Sequence, residues 1–421
     1  MLRRFYTALD SLLVGVVLLP LITSLACWRL ANSGLLNWFE LPKLFSRLSA
    51  VECDQTKDPA LVLLAKDWRL ATLGAYRREQ YGARYGNSDQ EAGRGALAEV
   101  LEALCKLQPR AIVVDIEFAP GQPGSGSQAL LAAIANRGDV PIVLGCSSAR
   151  KLRQRAEAGG DPFAELGYGA LKESLTSGAR TVRLGYTEVA RDRGLGYLQH
   201  KEVFLVGLVD KSIASQPAYG LAAEAVAAAR GVSIRRKGGA LELPAKGNQK
   251  PIVIPLDYWH SYTIISYGET PKGNASPFRR FNYWQLTENK LSDEDQRLLG
   301  RAIVFIGDAT GVDRLPVPGG RELDGVEIHA HVANMIKEQA FTRFVALRWQ
   351  VLVWWLLGTG SCLLVYFERW QFSLAYVAGI IGVPAFVLYA IAHRVVFVTY
   401  PALAVFVPVL LLREVCKQRV R

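Results

Sequence analysis

Two acids stand two apart in the apolar run AIVVDIEF, Asp115 and Glu117. Two more follow a second such run, AIVFIGDATGVD, at Asp308 and Asp313. In a strand a spacing of two puts both side chains on one face. Both sets lie toward the C-terminal ends of their runs, where open parallel sheets place ligand crevices. If the two strands are neighbours, the acids converge into a site suited to a cation or an amine. The plainer reading has Asp115 buried and hydrogen-bonded to loop amides, with Glu117 at the rim. A buried carboxylate must be paired or hydrogen-bonded, and loop amides suffice. The residues alone favour this plainer reading.

His329 and His331 invite a metal reading that their spacing refuses. Two residues turn a helix by about 200°, so the rings face opposite ways. His329 shares a face with Val332 and Ile336, which suits a core histidine directed at the sheet near the Asp308 loop. No CxxC or Cys/His spacing suggests zinc, and the metal and cofactor expectation is none. The stretch GSGS (residues 124–127) lacks the Lys and hydroxyl that a phosphate loop needs, and reads as a flexible connection. Ser125, Ser147 and Ser148 lie in no Gly-x-Ser-x-Gly elbow. No nucleophile, base and orienter can be assembled, so the chain is not expected to be an enzyme.

The elements that would position these residues follow from periodicity. Leu61 to Ala65, Ala111 to Phe118, Pro141 to Leu144 and Ala302 to Ile306 are short apolar runs, each reading as a buried strand. Leu97, Val100, Leu101 and Leu104 recur at helical spacing within a helix from Arg94 to Leu107. Further helices are expected at Gln128–Asn136, Pro217–Arg230, Ser292–Leu299 and Gly325–Gln339. Ser292 with Asp295 three on resembles a capping box. Ala71 to Gly93 reads as a polar loop. Thr181–Val189, Val203–Val209, Ile252–Leu256 and Tyr262–Tyr267 read as strands, and Gly307-Asp308 as a turn. Helices alternating with continuous apolar runs indicate an α/β fold, a three-layer domain on a mixed, largely parallel sheet.

The chain has 421 residues, is 50% hydrophobic, and its apolar residues pile up at the two ends. Four uncharged runs approach or reach the roughly 20 residues a membrane crossing takes: Ser11–Trp28, Trp349–Phe367, Trp370–Ala392 and Val395–Leu412. Each is expected to be a helix, since a span must satisfy its own backbone. Arg3, Arg4, Arg369, Arg413, Lys417, Arg419 and Arg421 fall on one side and Arg394 on the other, which makes the first side cytoplasmic. Leu25-Ala26-Cys27 resembles a lipoprotein cleavage site, but Ser24 stands where a larger aliphatic residue is usual, so a retained anchor is expected. The expected order is a tail and anchor (residues 1–31), an extracytoplasmic domain (32–348), three helices (349–412) and a basic tail (413–421). The net charge is +11. Removing nine Lys/Arg and three Asp/Glu in the terminal segments leaves 40 against 35. No focused basic patch for nucleic acid is visible, and the basic tail suits anionic lipid headgroups. Of the cysteines outside the spans, Cys105 and Cys146 fall about a strand length apart, so any disulfide involves Cys53.

AIVVDIEF after a helix, and later RAIVFIGDATGVDRLPVPGGRELDGVEIHAHVANMI, resemble the CHASE domain of type two, an extracytoplasmic sensory module of bacterial receptors. The resemblance runs from about residue 10 to 412 and is most specific at Gly325-Val326-Glu327-Ile328-His329-Ala330. It implies one N-terminal span, a long exported α/β domain and about three packed C-terminal spans. There are departures. Where the family usually has an aspartate pair and a Trp/Pro-rich stretch, this chain has Lys66-Asp67 and a polar loop around Tyr81. Where it often has paired aspartates after AIVVDIEF, Ser125, Ser127 and Gln128 stand. Relatives often continue into a cyclase, kinase or other output domain, and this chain stops nine residues after its last apolar run. The resemblance therefore implies an inner-membrane sensor that binds a ligand or partner and relays to a separate membrane or cytoplasmic output protein. The alternative is a non-signalling scaffold subunit of a cell-envelope complex. Membrane lipid is an expected partner, a homo-oligomer is possible, and nucleic acid is not expected.

Overall fold

The structure, a computed structural model, describes residues 61–64, 82–85, 89–116, 124–146, 182–187, 189–190, 205–207, 209–210, 218–256, 262–264, 278–308, 314–317, 321–341, 343–344 and 395–396. In chain order these form β1 (Leu61–Leu64), α1 (Asp89–Leu107), β2 (Ala111–Asp115), α2 (Ser125–Ala135), β3 (Ile142–Cys146) and β4 (Val182–Tyr186). Short strands follow at β5 (Val189–Ala190), β6 (Leu205–Gly207), β7 (Val209–Asp210) and β8 (Ala218–Tyr219). Then come α3 (Leu221–Arg230), β9 (Arg235–Lys237), β10 (Ala240–Leu243), β11 (Ile252–Pro255), β12 (Tyr262–Ile264) and β13 (Arg280–Phe281). The last elements are α4 (Tyr283–Thr287), α5 (Asp293–Leu299), β14 (Ile303–Asp308), β15 (Arg314–Val317), β16 (Arg321–Asp324), α6 (Gly325–Lys337), β17 (Arg343–Phe344) and β18 (Val395–Val396).

The main sheet has the order β13-β1-β14-β2-β3-β4, and every neighbouring pair in it is parallel. The expected mixing is confined to separate small sheets. Alternation along each strand explains the layers. Ile112, Val114, Ile142, Leu144, Val304 and Ile306 pack into one cluster with residues of α1 and α2. Ala111, Val113, Val143, Ile303 and Phe305 pack into a second cluster with α3 and α6. A strand covered on both faces reads as an unbroken apolar run, which is why AIVV and IVFI carry no polar alternation.

The chain divides into two compact units, one of Ala50–Ala190 with Phe204–Phe341, the other of Met1–Ser49, Arg191–Val203 and Thr342–Arg421. The sheet and its helices belong to the first. The second contributes one described pairing, β17 parallel to β18, with Arg343 opposite Val395 and Phe344 opposite Val396. The four apolar runs expected to span a membrane lie outside the described residues, apart from Val395 and Val396. Those two are strand, not the start of a helix: β-branched side chains favour extended backbone, and β17 supplies the ladder. Among the described residues no helix is long and apolar enough to cross a membrane.

Several expected boundaries move. The loop expected over Ala71–Gly93 is helical at 82–85 and again from Asp89, because Ala92 and Ala96 are fully buried and hold the early turns of α1 in place. The helix expected from Gln128 begins at Ser125, so part of the flexible connection is a helical turn. The helix expected from Pro217 begins at Leu221, because Ala218 and Tyr219 pair with β7. Gly307 and Asp308 extend β14 instead of turning out of it. Ser292 does cap α5, its hydroxyl accepting from the Asp295 amide at 3.1 Å.

Candidate functional site

β2 and β14 lie side by side, with Asp115 opposite Gly307. Asp308 follows by one residue and is itself paired with Leu64 of β1. The two strand ends that carry the expected acids are therefore neighbours. Their onward paths diverge: β2 leads to α2 on one face of the sheet, and β14 leads through the β15–β16 hairpin to α6 on the other. Adjacent parallel strands whose helices depart to opposite faces leave a crevice outside their C-terminal ends. Asp115 and the backbone of Asp308 stand at that crevice. The side chain of Asp308, and all of Glu117 and Asp313, lie outside the described residues.

Asp115 is only partly open to the surface, and the surrounding protein removes enough water to push its carboxyl up to about 7. Burial is the cause, since a desolvated carboxylate is penalised relative to its neutral form. At neutral pH this acid is poised between donor and acceptor. The loop whose amides were expected to hold it is outside the described residues.

The first turn of α6 closes against the end of β14. A methyl group built on Gly307 would overlap the Val326 side chain, so glycine at 307 is what lets the helix start beside the strand end. His329 is buried on α6, on the face it shares with Val332 and Ile336, as expected. The opposite face is buried as well. There Asp324, Glu327, His331 and Asn334 recur at three, four and three residues along one helical stripe. Glu327 is 2% exposed and accepts from Arg280 Nη2 at 2.6 Å. Asp324 has Arg280 at 3.8 Å and Arg314 at 3.5 Å. The His331 ring meets Phe278 edge-on at 4.7 Å between centroids. Its pKa is driven down to about 3, first by burial and then by the Arg280 charge, so it is neutral in the fold.

A second polar cluster joins α1 to α2. Glu91 Oε2 accepts from the Ser127 amide at 2.8 Å, and Glu91 Oε1 accepts from the Ser127 hydroxyl at 2.5 Å. Arg94 Nη1 donates to the Ser127 hydroxyl at 2.6 Å and to Glu91 at 3.1 Å. Burial works to raise the Glu91 carboxyl, but the Ser127 hydrogen bonds and Arg94 outweigh it and hold the group below the usual range. Glu91 thus supplies α2 with the anionic cap that its own Gly124 cannot. The Ser127 hydroxyl is buried and locked in this network. Cys105, beside the start of β2, is a half-buried free thiol on α1. Among the described residues no three His, Cys, Asp or Glu side chains gather as a metal site.

The structure has Asp115 at the end of β2 and His329 on the buried face of α6, as expected, and keeps Asp308 in β14 where a turn was expected. Sequence reasoning weighed His331 only against a metal site and missed the stripe it forms with Asp324, Glu327 and Asn334, and their partner Arg280. The stripe on α6 was detectable from its spacing. Arg280 was not, because nothing local marks a two-residue strand. A family model described as the CHASE2 domain matches residues 77–366, well over half of the chain. No curated protein and no solved structure matches it.

Proposed function

The chain belongs to the CHASE2 domain family, a family of sensory domains, and on that premise we propose that it is an inner-membrane sensor with its domain outside the cytoplasm. Its membrane helices come from the four apolar runs, the last of them without Val395 and Val396, and both termini are cytoplasmic. The ligand site is the crevice at the ends of β2 and β14. Asp115 is its central group, next to the end of β14 that carries Asp308, and Glu117, Asp313 and His329 are the further residues we assign to it. The observation that carries this reading is an acid held near neutrality at the end of β2, beside β14, where two described neighbouring strands lead to helices on opposite faces of the main sheet.

The chemistry suits a cation or amine. A bound positive charge favours the ionised carboxyl, so binding releases the Asp115 proton. A ligand shifts a conformational equilibrium only by its differential affinity for the two states. The change it makes at the crevice passes through the helix bundle to a separate output protein. The test is thermal unfolding of the full chain in detergent, titrated with divalent cations and with small primary amines between pH 5 and 8. A midpoint shift present in the wild type and absent in Asp115→Asn supports the reading. No shift with any of these probes removes the crevice as the sensing site. Purification from native membranes through a C-terminal tag tests the relay. A stoichiometric partner with an output activity supports it, and a stoichiometric partner without one supports the scaffold alternative.

A further inference from the structure

Away from the crevice, α3 leads into a three-stranded antiparallel sheet of order β11-β10-β9. The tight Gly238-Gly239 turn between β9 and β10, with Gly238 at φ +59°, suits a two-residue hairpin. One face of this sheet is anchored: Leu241, Leu243, Ile252 and Ile254 are buried in the core cluster with α3 and α6. The other face carries the rows Arg235–Glu242–Val253 and Lys237–Ala240–Pro255. Val253, at 51% exposed, is the one exposed large hydrophobic side chain among the described residues.

Charge concentrates here. Between Arg230 and Lys250 the chain has six cations, Arg230, Arg235, Arg236, Lys237, Lys246 and Lys250, and one carboxylate, Glu242. That surplus of five equals the whole surplus of the segment between the apolar ends, 40 against 35. The cations are poorly compensated. Lys237 reaches Glu242 only at 3.8 Å with its own side chain 77% exposed. Arg230 and Lys246 donate to the carbonyls of Lys250 and Gly231, not to acids. Three of the six cations, Arg235, Arg236 and Lys237, make up β9 itself.

β9 is the free edge of that sheet among the described residues. All three of its residues are exposed, and no described strand pairs along its outer side. Cations on an edge strand are a known defence against edge-to-edge aggregation, and a merely solvated edge is the outcome to beat. Two features point past it. The side chains alternate, so Arg235 and Lys237 reach one face and Arg236 the other. A flat anionic surface would engage one face only, whereas a strand added along the edge meets all three. The patch also extends beyond the edge, to Lys246 and Lys250 at the turn beside Arg235, which defence of a three-residue edge does not require.

We propose that β9 is a docking strand for an extended, carboxylate-rich segment of a partner protein, added to the β11-β10-β9 sheet by backbone pairing with its acids opposite Arg235 and Lys237. This surface is separate from the crevice, and it stands whether or not the crevice binds a cation.

The test uses the full chain in detergent and a fluorescent eight-residue peptide of alternating Glu and Val, with alternating Lys and Val as the control. Binding of the Glu peptide is expected, and the neutral double variant Arg235→Gln/Lys237→Gln weakens it tenfold or more while leaving the protein folded with a cooperative thermal transition. The same peptide N-methylated at alternate backbone amides is expected to lose binding, because those amides would pair with β9. No binding of the Glu peptide overturns the proposal. Equal binding of the methylated peptide overturns strand addition, since charge alone would then suffice. Displacement of the peptide by phosphatidylglycerol vesicles at lipid concentrations where neutral vesicles do nothing reassigns the patch to the membrane surface and also overturns it.

Discussion

Replacing Asp115 with Asn changes one oxygen for an amide and removes one titration. The wild-type carboxyl moves from an ordinary value of 3.8 to about 7 in the fold. Between those values the folded state holds a proton that the unfolded state has lost. Stability therefore falls as pH rises from about 4 to about 7 and is level above that. A gap of about three pH units at about 1.36 kcal/mol each gives a loss of about 4 kcal/mol. Asn, which never ionises, carries no such loss. The assay is hydrogen exchange of residues 111–116 in the full chain, corrected for the intrinsic pH dependence of exchange. Both proteins share the titration of His331, so the readout is the difference between them: from pH 4 to pH 7 the free energy of opening at this strand should fall in the wild type by up to about 4 kcal/mol relative to Asp115→Asn. At pH 7 the variant should be the harder to open. Equal slopes in the two proteins would refute the claim that burial of Asp115 sets the titration. So would a variant that opens more easily at pH 7.

The opposite limb belongs to His331. Its folded pKa of about 3 lies below the ordinary 6.5, so its contribution is intact above pH 6.5 and is lost as pH falls toward 3; NMR should show the ring neutral from pH 5 to 8, and His331→Phe should flatten the acid limb. Arg280→Met leaves the buried Glu327 carboxylate without its 2.6 Å partner and should cost about 2–3 kcal/mol in chemical unfolding, less than for a fully buried pair because Arg280 is partly exposed. Gly126→Ala puts a methyl onto the Glu91 carbonyl oxygen, a backbone atom that cannot swing aside, and should cost about 2 kcal/mol or more in the same assay. Cysteines at Arg343 and Val395, which are register partners, should form a disulfide on mild oxidation of the full chain, and failure to form it would count against the pairing.

The strands at the centre of the main sheet were legible because both faces are covered. AIVV and IVFI needed only their unbroken apolar character, and the parallel sheet followed from the helices between them. Ser125 to Ser127 were misread for a physical reason. Gly-Ser chemistry predicts a flexible connection, and what turns it into helix is Glu91, more than thirty residues away on another helix. No local window contains that cap. The β9–β10 hairpin was hidden by its composition: RRK has no apolar alternation, and the burial that holds the hairpin comes from Leu241 and Leu243 on the partner strand. The Gly238-Gly239 pair was the available signal. At the candidate site, bringing together the strand ends that carry Asp115 and Asp308 depended on β14 inserting between β1 and β2, a pairing across nearly 200 residues. The spacing of acids suggested the site, and only the register made the strands neighbours.

The small pairing of Arg343–Phe344 with Val395–Val396 sets an arithmetic condition on everything between them. Strands that pair in parallel stand at one level and point the same way, so the excursion through residues 345–394 is a closed errand: it leaves and comes back to its own starting height. A path that returns to the side of a barrier it left has crossed that barrier an even number of times, none or two or four. If this stretch enters a lipid bilayer, an odd count is forbidden whatever the hydropathy of its residues.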